Sequence, residues 1–238
     1  MYQDAVTPRR GFLARFSVAA AVFAAGATRT SAADTATQAP ADAWLNEVKG
    51  THRCLFDFAR HNNGWGLVHV LNYVNTYASA YKAGPGTVGA VGTFYGIGAG
   101  SSIALGFNDA MWAKYGLGEY HGLKDAAGKP YTRNVFHRPT RADAHLLAQA
   151  IQIPNFGALG DLMTGAGIES LQKMGTKFLM CANALGAWTL ELEARGKGTA
   201  AALGTDLRAN LLPGVTIVPA MVIAIEQAQA AGIRYNRQ

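Results

Sequence analysis

Apolar residues fall in two patterns along this chain: short continuous runs, and stretches in which they recur every three or four positions. The runs at His52–Phe58, Val88–Phe94, Thr176–Met180 and Val215–Val218 are of strand length and are bounded by turn residues. Ile233–Tyr235 reads as a last edge strand. Between Leu67 and Tyr81 the residues Leu67, Val70, Leu71, Val74 and Tyr77 recur at helical spacing, which predicts an amphipathic helix. Further helices are predicted at Ser101–Lys114, Ala142–Ile151, Phe156–Met174, Ala184–Arg195, 199–211 and Pro219–Ala231, with a short helical turn over Trp44–Val48. Gly84-Pro85-Gly86, Gly196, Pro213-Gly214 and Gly232 supply the stops. Strands alternating with helices predict an α/β domain layered on a parallel sheet. No internal repeat interrupts that order. The least regular stretch, residues 115–140, is long for a plain connection and is expected to be a lid or an interface excursion.

The beginning of the chain does not follow these patterns. Thr7-Pro8-Arg9-Arg10-Gly11-Phe12-Leu13 carries a twin arginine, an apolar segment runs from Phe16 to Ala27, and small residues Ser31-Ala32-Ala33 follow. This order of charged, apolar and small-residue regions is that of a twin-arginine export signal. Residues 1–33 are therefore expected to be removed, with the twin-arginine translocase as partner during export and the periplasm as destination. Residues 34–43, rich in Ala and Thr, read as a flexible leader, leaving 44–238 as one domain. Residues 1–33 hold four Arg and one Asp, so their loss lowers the net charge from +6 to +3. No block of like charge remains, which argues against a nucleic-acid surface. No later apolar stretch reaches membrane-spanning length.

Candidate chemistry centres on Cys181. In Lys177-Phe178-Leu179-Met180-Cys181-Ala182-Asn183 a short apolar run ends in a thiol where a helix begins. The amides of Asn183 and Ala184 and the helix dipole would stabilise a thiolate there; the bland alternative is a small buried residue ending a strand. The other cysteine, Cys54, lies inside the first predicted strand. A disulfide or a resolving pair between the two would require close strands with suitable side-chain directions. The segment Phe94-Tyr95-Gly96-Ile97-Gly98-Ala99-Gly100-Ser101-Ser102 follows a strand and precedes a helix, so its backbone N–H groups can cradle a small anion. It has neither the dinucleotide order of glycines nor the P-loop Lys, and a merely tight turn is the default. In a parallel sheet these strand ends share one edge, so Asp57, His61, Tyr95, Gly96, Gly98, Gly100, Ser101, Asn183 and Cys181 are expected around one cleft. Asn108, Asp109 and Trp112, with Tyr115, Tyr120, His121 and Tyr131 beyond, either line a lid over it or anchor their segment to the core. Six histidines raise the question of a metal, and the export route that of a cofactor. No ligand spacing of a known metal motif is present, and neither group is predicted.

Three segments carry a family likeness: the strand end Cys181-Ala182-Asn183-Ala184-Leu185, the run Leu211-Leu212-Pro213-Gly214-Val215-Thr216-Ile217-Val218-Pro219-Ala220, and the closing Ala230-Ala231-Gly232-Ile233-Arg234-Tyr235. Together they resemble the DsrE/DsrF-like family of sulfur-handling α/β proteins. The resemblance implies a three-layer α/β/α fold with a mainly parallel sheet, assembly into homo-oligomers, and a large, helical and irregular insertion at about 95–172. It also implies that Cys181 carries a persulfide and relays a small sulfur species. The alternative is a non-catalytic module that binds a small ligand or a protein, with an inert buried cysteine.

Overall fold

The four apolar runs and the closing edge segment become strands of one sheet: β1 (His52–Asp57), β2 (Val88–Phe94), β3 (Lys177–Cys181), β4 (Val215–Val218) and β5 (Arg234–Arg237). They pair in the order β4-β3-β2-β1-β5, and every pairing is parallel. The computed structural model describes residues 40–238, so the signal expected at 1–33 and the first part of the expected leader lie outside the described residues. Residues Pro40–Glu47 form a 3₁₀ segment that buries Trp44. The first four residues of this segment belong to the stretch read as leader.

Sheet order dictates where the helices go. Right-handed crossovers place connections on one face while the chain steps from β1 to β4, and on the opposite face when it returns across the sheet to β5. The helices obey this rule. α1 (Trp65–Ser79), the long β2–β3 connection, α7 (Ala182–Ala194) and α8 (Ala200–Ala209) pack on one face. There they meet Cys54, Phe56, Phe94, Phe178 and Met180. The other face presents Leu55, Val91, Leu179, Cys181 and Val218 to α9 (Met221–Ala230) and to the 3₁₀ segment. Successive strand residues thus alternate between two buried faces, which is why the runs are apolar throughout rather than alternating. The result is the expected three-layer α/β/α arrangement on an all-parallel sheet. Over the thicker face Phe94 and Phe178 stack at 5.0 Å, and a Cβ on Gly92 would sit 2.5 Å from the Phe178 ring. No residue larger than glycine fits beneath that stack.

The connection between β2 and β3 differs from expectation in two ways. It is a core layer, not a lid. Ile103, Phe107, Trp112, Leu117, Phe136 and Leu147 are all fully buried in it, and the Trp112 indole N–H donates to the Ala104 carbonyl at 3.0 Å. Its two long predicted helices are also broken. The first becomes a 3₁₀ turn, Ser102–Gly106, followed by α2 (Asp109–Tyr115), because the Asn108 side chain accepts the Met111 N–H and starts a new helix. α3 (Leu117–Tyr120) and α4 (His145–Ala150) are single turns or little more. The second predicted helix divides into α5 (Gly157–Gly165) and α6 (Ile168–Lys173). There the N–H groups of Ile168 and Glu169 turn away to the carbonyls of Phe136 and His137. Among the described residues no helix is long and apolar enough to cross a membrane.

Candidate functional site

The residues expected around one cleft divide into two groups. Cys181, Asp57 and Tyr95 belong to the face covered by α9. Cys181 is the last residue of β3 and the N-cap of α7, and its Sγ accepts the Ala184 N–H at 3.4 Å. A second donor comes from another helix: the N–H of Met221, first residue of α9, reaches the same sulfur at 3.3 Å. Both helices begin beside the thiol because β3 and β4 are neighbours in register, Cys181 against Val218, and each strand runs into its helix. Two helix N-termini therefore point at one sulfur, and both dipoles favour negative charge there. Asn183 does not contribute its amide. Its N–H donates to the Pro219 carbonyl at 3.2 Å, tying the two helix starts together instead.

Asp57 and Tyr95 stand on the same face. β2 pairs Phe94 with Met180, which brings the next residue, Tyr95, to the neighbourhood of Cys181, and both side chains join one cluster. Asp57 is buried and accepts from Thr93 at 3.3 Å and from the Tyr235 hydroxyl at 2.8 Å. Burial, followed by the nearby Asp57 carboxylate, pushes the Tyr95 hydroxyl well above its usual range, so it stays a neutral donor.

The cysteines do not pair. Cys54 faces α1, on the opposite side of the sheet from Cys181, and β2 lies between their strands. Both are free thiols. Burial raises the Cys54 thiol to about 11, so it stays protonated and is a packing residue. A resolving partnership with Cys181 is excluded by the side each one faces.

The second group is built where the loops after β1 and β2 run antiparallel. The His61 N–H donates to the Gly100 carbonyl at 2.9 Å, and the Ser102 N–H donates to that of Ala59 at 3.4 Å. Ser102 locks this corner, taking the Tyr95 N–H at 3.1 Å and donating to the Phe58 carbonyl. Three of the glycine loop's amides are spent inside the protein. Gly98 N–H goes to the Glu191 carboxylate at 3.1 Å, Gly100 N–H to His121 Nδ1 at 3.1 Å, and Ser101 N–H to the Gly98 carbonyl at 3.2 Å. Glu191 and His121, which positions 98–101 could not announce, take up the Gly98 and Gly100 amides of the expected cradle. Burial raises the Glu191 carboxyl, but donors from Tyr120, Arg195 and Gly98 outweigh it and keep the group ionised.

His61, Gly100 and His121 line a cleft of about 800 Å³ together with Arg60, Asn63 and Trp65. The imidazoles meet edge to face at 5.7 Å. Burial, then the Arg60 charge, lowers His61 to about 4, although the His121 carbonyl lies near enough to oppose this. Burial and His61 together lower His121 to about 3. Both rings are therefore neutral at ordinary pH. Gly96 and Ser101 sit beside this loop corner, with the Ser101 hydroxyl buried and unpartnered. Among the described residues no group of three or more His, Cys, Asp or Glu side chains is arranged to hold a metal ion.

Sequence reasoning missed Met221: Pro219 announces a helix start there, but the reach of its N–H to Cys181 depends on the pairing of β3 with β4. His121 was named among residues of a lid or an anchor, and its place beside His61 was not foreseen. Comparison with protein-family models, with curated proteins and with solved structures finds no match, and the reading below rests on the geometry and the residues.

Proposed function

We propose that this is an exported DsrE-like protein of the periplasm that accepts and relays a small sulfur species through Cys181. One observation carries the reading: the N–H groups of Ala184 and Met221, each in the first turn of a different helix, both donate to the Cys181 sulfur. An anionic sulfur gains from both donors and from both dipoles. In the relay, the Cys181 thiolate attacks the outer sulfur of a sulfane donor such as a persulfide. A sulfur–sulfur bond forms on Cys181 as the bond to the donor breaks, and the donor leaves as its own thiolate. An acceptor thiolate then attacks the sulfur carried by Cys181, which leaves as thiolate again. Each step conserves electrons, so no external oxidant is needed. Tyr95 and Asp57 stand on the same face of the sheet as Cys181. Family membership and export rest on the sequence segments named above.

Burial supports a second reading, because only 5% of Cys181 is exposed. On that reading the chain is a non-catalytic binding module and the thiol is inert. Labelling the folded protein with a maleimide, with and without denaturant, separates the two. A relay cysteine labels in the native state, and at a rate that rises with thiolate population. A Cys181 that labels only after unfolding overturns the relay and leaves the binding module.

A further inference from the structure

The cleft between the loops after β1 and β2 has chemistry of its own. His61 and His121 are more than nine-tenths buried, and in each the Nδ1 already accepts a backbone N–H, from Asn63 at 3.1 Å and from Gly100 at 3.1 Å. A ring nitrogen that accepts an N–H carries no proton. In a neutral imidazole the proton must then sit on Nε2. Both Nε2 atoms are buried and make no hydrogen bond of full geometry in the protein, although the His121 carbonyl lies close to the His61 ring. The pair therefore holds two unpartnered N–H donors, fixed in tautomer by the backbone, in residues that line the cleft but with the donor atoms themselves buried beneath its surface. The same arrangement disfavours a metal ion, which needs the Nε2 lone pair and hence a proton on Nδ1, where an N–H already points.

Charge follows the same sense. Arg60 lines the cleft, and no carboxylate does among its described lining residues. The guanidinium reaches across the glycine loop to the Ala99 carbonyl at 3.4 Å. Gly100, at φ +85°, leaves room for it: a Cβ there would lie 2.5 Å from the Arg60 guanidinium. Trp65 and Ile151 add apolar surface to the lining, beside the amides of Asn62 and Asn63. Unpartnered imidazole donors, one cation, no carboxylate and some apolar surface suit an oxyanion carried on a small body.

We propose that this cleft binds a small oxyanion, with His61 and His121 donating from Nε2 and Arg60 supplying the positive charge. It shares no lining residue with the surroundings of Cys181, so it stands whether or not Cys181 relays sulfur.

Isothermal titration calorimetry on the folded protein with sulfate, phosphate, acetate and benzoate tests it. Sulfate and phosphate probe an inorganic source and the two carboxylates an organic one. Saturable binding of at least one, with chloride giving none, is expected. Asparagine reproduces an imidazole's Nδ1 acceptor but lacks the Nε2 donor. His61→Asn and His121→Asn should each weaken binding roughly ten- to a hundredfold. Arg60→Gln should weaken it to a similar degree. Nitrogen-15 NMR of the imidazoles gives a second readout that needs no variant: both rings should be Nε2–H tautomers, and those signals should move on titration. Binding that survives all three substitutions unchanged overturns the proposal. So does a protein with intact wild-type spectra in which none of the four anions moves either imidazole signal.

Discussion

At the scale of single residues, the direction in which a polar atom points matters more than which residue carries it. Cys181 was legible as a strand-end thiol, because an apolar run of strand length ended on it before a helix. Its second donor was not, because Met221 lies 40 residues further on and reaches the sulfur only through strand pairing. Substituting Met221 isolates that donor. Met221→Ala and Met221→Pro lose the same side chain, but only proline also loses the N–H, and proline is tolerated at the first helical position. Cys181 should label several-fold more slowly in Met221→Pro than in Met221→Ala, and equal rates would remove the Met221 N–H from the account. The imidazole pair makes a prediction about pH. An unfolded histidine takes up its proton near 6.5, whereas folded His61 and His121 do so only near 4 and 3. Between about 4 and 6.5 the unfolded chain therefore binds more protons, and stability falls as pH falls. The slope is up to about 1.4 kcal/mol per pH unit for each histidine. Urea unfolding across that range should register it, and His121→Asn should flatten it. A wild-type stability that stays level from pH 6.5 to 4.5 would contradict the burial of the neutral rings.

Elements were legible where local chemistry set them and obscure where distant partners did. β2 and β4 fall where the apolar runs and the neighbouring glycines and prolines put them. The broken helices of the β2–β3 connection were hidden, since their breaks are enforced by contacts from outside each segment. Asn134 is the clearest case. Its side-chain amide donates to the Leu105 and Phe107 carbonyls at 2.9 and 2.7 Å, and its Oδ1 accepts the Phe136 N–H at 3.1 Å. One buried side chain thus joins the 3₁₀ turn, the start of α2 and the loop after α3, turning what read as a lid into a core layer. Asn134→Ala leaves two carbonyls and an N–H buried without partners and should cost about 3 kcal/mol or more in denaturant unfolding. Asn134→Asp keeps the shape but places a carboxylate against two carbonyls, and should cost at least as much. A loss below about 1 kcal/mol in both would mean that the segment does not depend on this joint. Asp143 plays a similar part nearby, accepting from Tyr131, Arg133 and Thr140.

At the scale of the described domain, the fold is a sheet covered unequally, and that asymmetry sorts its chemistry. One face carries α1, the long connection, α7 and α8, while α9 and the 3₁₀ segment Pro40–Glu47 cover the other. Cys181 lies under the thinner cover, and Cys54 under the thicker. Sequence alone could not separate them, because strand order decides which alternate residues share a face. At the rim, β5 is exposed at all four residues and, among the described residues, pairs only with β1. Hydrogen exchange should therefore be fastest at β5 and slowest at β2 and β3. Protection of β5 equal to that of β3 would place a second copy of the chain against this edge, and with it the homo-oligomer that the family resemblance implies. The central claim is that the thiol beneath α9 takes up sulfur. Its most direct measurement is the intact mass of the folded protein after exposure to polysulfide, followed by proteolysis to locate the adduct. Wild type and Cys54→Ala should each gain one sulfur atom on Cys181 and lose it to an added acceptor thiol, while Cys181→Ser gains none. A wild-type protein that remains at its bare mass, or that carries the sulfur on Cys54, contradicts the account.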